Sequence, residues 1–310
     1  VNSANNIGLG EYTLSKISSS ILNVEVTENI AIGHYSSRNL TTGSKNVTIG
    51  NHSGADLTTG IDNTFVGSYT NTSSSFSSYN TSIGSEAAKF NLFGSNNVAV
   101  GYAALRQSTS GSDNVAIGNQ ALENANGFSN VAVGNNASIN GGTGDFNIAI
   151  GDAAGTNVGN GNDNIAIGRL TIGTLEDGSD NISIGKSGAS NLTNGNHNIT
   201  IGTDSGDLLT DGNGNVLIGH ATNVTSSTDI NTIVIGSGSI GNGPNTTTIG
   251  NDTTTHTYLK GVTLTGTTFR MPNYTDVQTG SLSPSNGDMI YNTTVNKFVG
   301  YANGAWVELH

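Results

Sequence analysis

Cysteine is absent, so no disulfide can staple this chain and its redox compartment cannot be read from it. Charged residues are only 10% of the 310 and aromatic residues 6%, with a single tryptophan and three prolines. So little charge and so few large side chains argue against two ordinary globular domains, although the length would allow them. Apolar runs stay far short of the ~20 residues that a membrane helix needs, so no membrane insertion by this chain is expected. Cations are outnumbered, ten against twenty-two acids, giving a net charge of −12. That balance disfavours nucleic acid and anionic lipid as ligands. The chain opens on Val1 rather than Met, as expected of a processed chain or of a piece of a longer one.

What fills the chain instead is Gly (44 residues), Asn, Ser and Thr. Such a composition disfavours helices and suits narrow, turn-rich β structure. Disorder would have the same polarity, but the aliphatic residues here are placed rather than scattered. A pentapeptide, Asn-aliphatic-x-aliphatic-Gly, ends on Gly10, Gly33, Gly50, Gly67, Gly84, Gly101, Gly118, Gly134, Gly151, Gly168, Gly185, Gly202, Gly219, Gly236 and Gly250. From Gly33 to Gly236 every interval is 17 except one of 16; the first is 23 and the last 14. A fixed period of this size predicts one supersecondary unit stacked on copies of itself, a solenoid.

The unit predicts its own geometry. In Asn114-Val115-Ala116-Ile117-Gly118, alternation sends Val115 and Ile117 to one face of a short strand and Ala116 to the other. The β-branched columns are expected to form the core of a parallel β-roll, with the Ala, Ser and Thr column as a face packed between chains. Phe65, Leu217 and Val234 interrupt that small-residue face. The opening Asn should form an amide ladder from coil to coil, slipping back one residue to Asn231 and Asn245 at the end. The closing Gly should take a positive-φ corner or a close backbone approach. Three residues past each Gly lies a small residue (Ser36, Ser53, Thr70, Ala87 and onward), expected on a second strand across a thin core. The remaining residues of each unit read as exposed turns. A core this narrow suggests that one chain is not enough.

Asn-Val-Ala-Ile-Gly at this spacing resembles the head repeat of trimeric autotransporter adhesins, the YadA-like head. Its longer form, Asn97-Val-Ala-Val-Gly-Tyr-Ala-Ala-Leu105, is similar to segments of phage tail fibres. The resemblance covers about residues 5–250. It implies a left-handed parallel β-roll, a homotrimer, and an extracellular, cell-surface or virion-surface location. An autotransporter would continue into a coiled-coil stalk and a membrane barrel. Neither pattern is visible in residues 251–310, so a tail-fibre-like appendage is favoured over a cell-surface adhesin.

The expected organisation is therefore an N-terminal cap with the first repeat (1–28), β-roll repeats (29–250), neck or linker strands (251–275) and an antiparallel β tip (276–310). In the neck, Thr257–Leu264 reads as a strand. In the tip, Asp288–Tyr291, Lys297–Tyr301 and Ala305–Leu309 read as strands, the last two joined by Asn303-Gly304, a strong hairpin signal. The tip also resembles the C-terminal modules of tail-fibre-like proteins.

Chemistry is harder to find. Gly236-Ser-Gly-Ser-Ile-Gly241 has dinucleotide-binding spacing, but Asn242-Gly243-Pro244 follows where a helix is required. Asp211-Gly-Asn-Gly-Asn215 alternates oxygen ligands yet lacks the distal Glu of a calcium loop, so a plain turn is favoured. The six histidines show no ligand spacing. Glu86, Asp152, Asp204 and Asp207 form no pair of the kind a glycosidase needs, so a polysaccharide depolymerase is the weaker alternative. No catalytic residue, metal or cofactor is expected. Binding is expected at the tip, where Tyr291, Phe298, Tyr301 and Trp306 are candidates for a site that takes a cell-surface receptor or glycan.

Overall fold

A computed structural model describes residues 5–17, 26–254, 273–275, 282, 284 and 288–309. The chain divides into two units, residues 1–257 and 258–310. The expected neck strand, Thr257–Leu264, lies outside the described residues.

Unit one is a solenoid built on a single parallel sheet of fifteen strands in chain order. Strands β1–β15 span, in turn, Ile7–Leu9, Ile30–Ile32, Val47–Ile49, Thr64–Val66, Thr81–Ile83, Val98–Val100, Val115–Ile117, Val131–Val133, Ile148–Ile150, Ile165–Ile167, Ile182–Ile184, Ile199–Ile201, Val216–Ile218, Ile233–Ile235 and Thr247–Ile249. Every pairing aligns equivalent residues, as in Ile165↔Ile182, Ala166↔Ser183 and Ile167↔Ile184. The register survives the long first interval, Ile7↔Ile30, and the short coil, Val115↔Val131.

Each strand is only three residues long because both its ends are left-handed corners. Before the ladder Asn stands a positive-φ residue, such as Asp163 (φ 57°), and after the strand stands the repeat Gly, as at Gly168 (φ 133°). Gly168 is required twice over. A Cβ there would lie 2.3 Å from the Gly185 carbonyl oxygen of the next coil, and its φ is one that L side chains rarely adopt.

The strand faces are the reverse of the sequence expectation. From β2 to β14 the middle residue is the buried one, only 0–2% exposed, in the column Ala31, Thr48, Phe65, Ser82, Ala99 and on to Val234. The Ile and Val residues on either side are half-buried or exposed along the whole stack. Val115, Ile117 and Ile167 thus point outward, and the small column is core rather than a surface between chains. The reason is volume. The interior already holds two columns of large aliphatics, seven residues past the Gly (Leu40, Leu57, Leu175, Leu192 and Leu209) and four past it (Leu105, Leu122 and Ile172), all fully buried, which leaves room opposite mainly for small side chains. Where a large residue does enter the middle column, the coil makes space: Phe65 faces Gly54, whose added Cβ would meet its ring at 3.1 Å. The segments expected to be exposed turns therefore contribute the bulkiest part of the core.

The small column three residues past the Gly is buried as expected, with Ser36, Ser53, Thr70, Ala87, Ala104 and Ala121 all at 0%. It is not on a strand. Alternate residues around it take positive φ, such as Ala103 (54°) and Leu105 (52°), which prevents an extended run. The coil-to-coil hydrogen bonds persist nonetheless. Ala103 N–H reaches back to Ser85 (3.0 Å), while Leu105 and Gln107 reach forward to Ala121 (2.9 Å) and Glu123 (2.8 Å).

The amide ladder is present. Asn181 Oδ1 accepts both the backbone N–H and the Nδ2 of Asn198 (3.0 Å each), and Asn181 Nδ2 donates to the Gly195 carbonyl at 2.8 Å. Its upper end differs from expectation. The ladder does not slip to Asn231 and Asn245, which take the positive-φ corner (52° and 60°); Thr232 occupies the ladder site, donating its N–H to Asn215 Oδ1 at 2.9 Å. A second polar ladder went unread in the sequence. Ser112, Asn162, Ser179, Asn196 and Asn213 each accept, on a side-chain oxygen, a backbone N–H of the preceding coil.

Unit two carries β16 (Asn273–Tyr274), β17 (Met289–Asn292), β18 (Lys297–Ala302) and β19 (Ala305–Glu308) in that sheet order. β17, β18 and β19 are antiparallel neighbours, as the hairpin reading expects, and β16 joins β17 in parallel. The turn between β18 and β19 holds Asn303 and Gly304 at φ 51° and 84°.

Candidate functional site

Alternation along β18 decides the fate of the four tip aromatics. Tyr291 lies opposite Phe298, and Tyr301 opposite Trp306. Phe298 and Tyr301 are three residues apart on one strand and so belong to opposite faces. The sheet therefore makes two edge-to-face pairs, at 5.1 Å and 5.3 Å, rather than one four-ring site. The Tyr301–Trp306 face also carries the buried Ile290 and Val299, and the Lys297–Glu308 ion pair. The other face leaves Met289, Phe298 and Val307 exposed. Tyr291 is anchored by its hydroxyl to Asn296.

On the solenoid, the first four coils carry a ladder of rings at the second residue past the Gly. Tyr12 stacks on Tyr35 at 4.9 Å, Tyr35 lies 4.9 Å from His52, and His52 stacks on Tyr69 at 5.0 Å. Arg38 sits over Tyr35 (5.3 Å) and Lys89 over Tyr69 (5.2 Å). Lys89 also donates to Glu86 at 2.9 Å, and Arg106 bridges Glu86 (3.5 Å) to Glu123 (3.4 Å). That hydrogen bond from Lys89 holds the Glu86 carboxyl below the ordinary carboxylate range. Burial, then the charges of Arg38 and His34, pull the His52 imidazole below its usual value.

The candidate chemical motifs resolve into repeat architecture. Gly236 and Gly238 occupy positive-φ corners, and among the described residues no helix follows β14. The carboxylate of Asp211 accepts from Asn194 and Thr193, and Asn213 Oδ1 accepts from Asn196. The bonds to Asp211, that from Asn194 most of all, hold its carboxyl low and tie Oδ1 to the neighbouring coil, while Oδ2 accepts from Thr210. Asn215 is buried in the main ladder. Glu86 is ion-paired, Asp152 accepts from Asn135, and Asp207 from Ser190; the structure does not bring them together. Among the described residues no three His, Asp or Glu side chains are grouped to hold a metal ion. A cleft of about 610 Å³ opens beside the last coil, lined by Ile240, Asn242, Thr248 and Asp252 among others.

Two surface features remain. One is the outward aliphatic face of the sheet. Ile49, Ile83, Ile117, Ile150, Ile184, Ile201 and Ile235 are each 36–41% exposed, with a parallel Val/Ile column beside them that Thr64, Thr81 and Thr247 interrupt. The other is a set of isolated exposed phenylalanines and tyrosines on the side of the coil that leads into the ladder Asn. Comparison with known protein families, curated proteins and solved structures finds no match to this chain.

Proposed function

We propose that the chain is a non-enzymatic fibrous protein whose solenoid assembles side by side with identical copies, as a homotrimer, and holds a receptor-binding surface away from its point of attachment. The observation that carries this reading is the aliphatic sheet face. Two columns of Ile, Val and Leu, broken only by Thr64, Thr81 and Thr247, run unpartnered along fifteen strands, roughly 67 Å at a strand spacing of ~4.8 Å. Soluble single chains rarely expose a continuous apolar surface of that extent. Covering it with the same face of other copies gives each column a like partner, and closed symmetry is how identical chains usually meet.

A left-handed coil, a tail-fibre-like or adhesin-like role and an extracellular or virion-surface site accompany this reading through the resemblance of the repeat, with the fibre favoured. The scattering of Glu86, Asp152 and Asp207 into separate structural bonds supports a non-catalytic role over a depolymerase.

Light scattering tests the assembly. A mass of three chains is expected for the parent protein. Ile167→Asp, which places a charge on the outward face, should yield single chains with an unchanged β circular-dichroism spectrum. A parent protein that runs as one chain at micromolar concentration refutes the reading.

A further inference from the structure

Two groups of aromatic residues lie on the solenoid surface, and they differ in what their ring faces do. In the ladder of Tyr12, Tyr35, His52 and Tyr69 the rings stack on one another, so their faces are occupied. Phe76, Tyr79, Phe93, Phe128 and Phe146 make no ring–ring or cation–ring contact among the described residues, although they are 47–65% exposed. Phe76 and Phe93 hold the same position, nine residues past Gly67 and Gly84, in adjacent coils. Tyr79 stands three residues beyond Phe76, at a positive-φ corner (60°), and Phe146 holds the equivalent corner further along (58°). Phe146 N–H bonds the Phe128 carbonyl at 3.0 Å, which sets those two side by side. Free aromatic faces left in water mark a surface meant to be covered.

We propose that this lateral strip, centred on Phe76, Tyr79 and Phe93, is a platform for a neutral saccharide chain. The inference deepens the fibre reading by naming the ligand class of its binding surface and moving that surface from the tip to the shaft. Charge selects the occupant. Residues 64–85 and 90–105 contain no Asp, Glu, Lys or Arg, and the corner column that holds Tyr79 and Asn96 carries carboxylates in the coils on either side, Asp62 and Asp113. Ser75 and Ser78 flank the rings along the chain, Ser95, Asn96 and Thr109 lie in the coils beside them, and the Asp62 carboxylate stands next to Tyr79. Apolar ring faces flanked by hydroxyls, amides and a carboxylate acceptor match a pyranose, which has an apolar C–H face and a rim of hydroxyl donors. An acidic polymer would find no cation here, because Lys89 and Arg106 are held by Glu86 and Glu123. Geometry agrees with a linear ligand. Phe76 and Phe93 hold one position in adjacent coils, whose backbones are about 4.8 Å apart along the stack, so their rings follow a line along the shaft as a linear ligand would. The strip is also distinct from the sheet face assigned to copy-to-copy contact, because its rings lie in the segment between strands, ahead of the ladder Asn.

Saturation-transfer NMR on the full chain tests it, using maltohexaose, cellohexaose and the N-acetylglucosamine hexamer, with polygalacturonate as the acidic comparison. At least one neutral hexamer should bind. Phe76→Ser with Phe93→Ser should weaken that binding at least ~10-fold, the scale of removing a central aromatic contact. Tyr12→Ser, in the stacked ladder, should leave it unchanged. Mass by light scattering and the melting temperature should stay at parental values in all variants, which separates this test from the assembly test. The proposal is overturned if no neutral hexamer binds at about 10 mM, if polygalacturonate binds better, if the double variant binds like the parent, or if that variant loses assembly instead.

Discussion

Truncating one rung of the buried amide ladder should destabilise the solenoid by an amount that its neighbours dictate. Asn181→Ala removes a side chain that is 1% exposed. The Gly195 carbonyl loses its donor at 2.8 Å, and Asn198 N–H loses its acceptor at 3.0 Å. Asn198 Nδ2 keeps its bond to the Gly212 carbonyl, so it is not orphaned. Two buried backbone groups left unsatisfied cost about 1–3 kcal/mol each, so the loss is roughly 2–6 kcal/mol. Thr232 supplies an internal control, because at that site a hydroxyl donates to the Gly243 carbonyl at 3.1 Å. Asn181→Thr should therefore recover the Gly195 contact and cost only about half as much, ~1–3 kcal/mol. Urea unfolding gives the ranking, and hydrogen exchange at Asn198 N–H should rise locally in both variants, since repeat stability couples mainly nearest neighbours. An alanine variant within about 0.5 kcal/mol of the parent, or a threonine variant no better than alanine, would refute the reasoning.

Ala166→Asp should be far more damaging than a charge at Ile167, since Ala166 is 2% exposed in the middle column; loss of β circular dichroism at lower temperature is the readout. Gly168→Ala should lower the melting temperature sharply, because its Cβ would overlap a backbone carbonyl at 2.3 Å and hold an L residue at φ +133°. Acid should weaken the first coils. The His52 imidazole is held below its ordinary value of 6.5, so the unfolded chain takes up its proton first and stability falls as pH drops below that value. His52→Gln should flatten that loss between pH 7 and 5 in thermal melts.

Period, corner glycines, amide ladder and tip hairpin were all legible, because each depends on a residue type that few alternatives can replace. Which strand face is inward was not, because both faces carry residues that a β core accepts. The rule that β-branched residues go inside is defeated by Leu40, Leu57, Leu175, Leu192 and Leu209, which approach from the turn side and fill the space. Those leucines recur seven residues past their glycines, so the signal existed; the polar turn residues around them concealed it. The second strand failed for a different reason. Left-handed conformations at non-glycine residues such as Ala103 and Leu105 leave no trace in composition. At the tip, the parity of positions 298 and 301 already separates the aromatics onto two faces. Exposure of Phe76 and Phe93, by contrast, follows from the direction of the coil and needs the structure.

The coil of 16 residues between Gly118 and Gly134 loses one residue from its turns while its strand and Asn130 keep their places, Asn130 N–H still meeting Asn114 Oδ1 at 2.8 Å. Reach and surface are thus separately adjustable. Duplicating or deleting whole units lengthens or shortens the shaft like a ruler in increments of about 4.8 Å. Changes within the turns redecorate its flank at constant length.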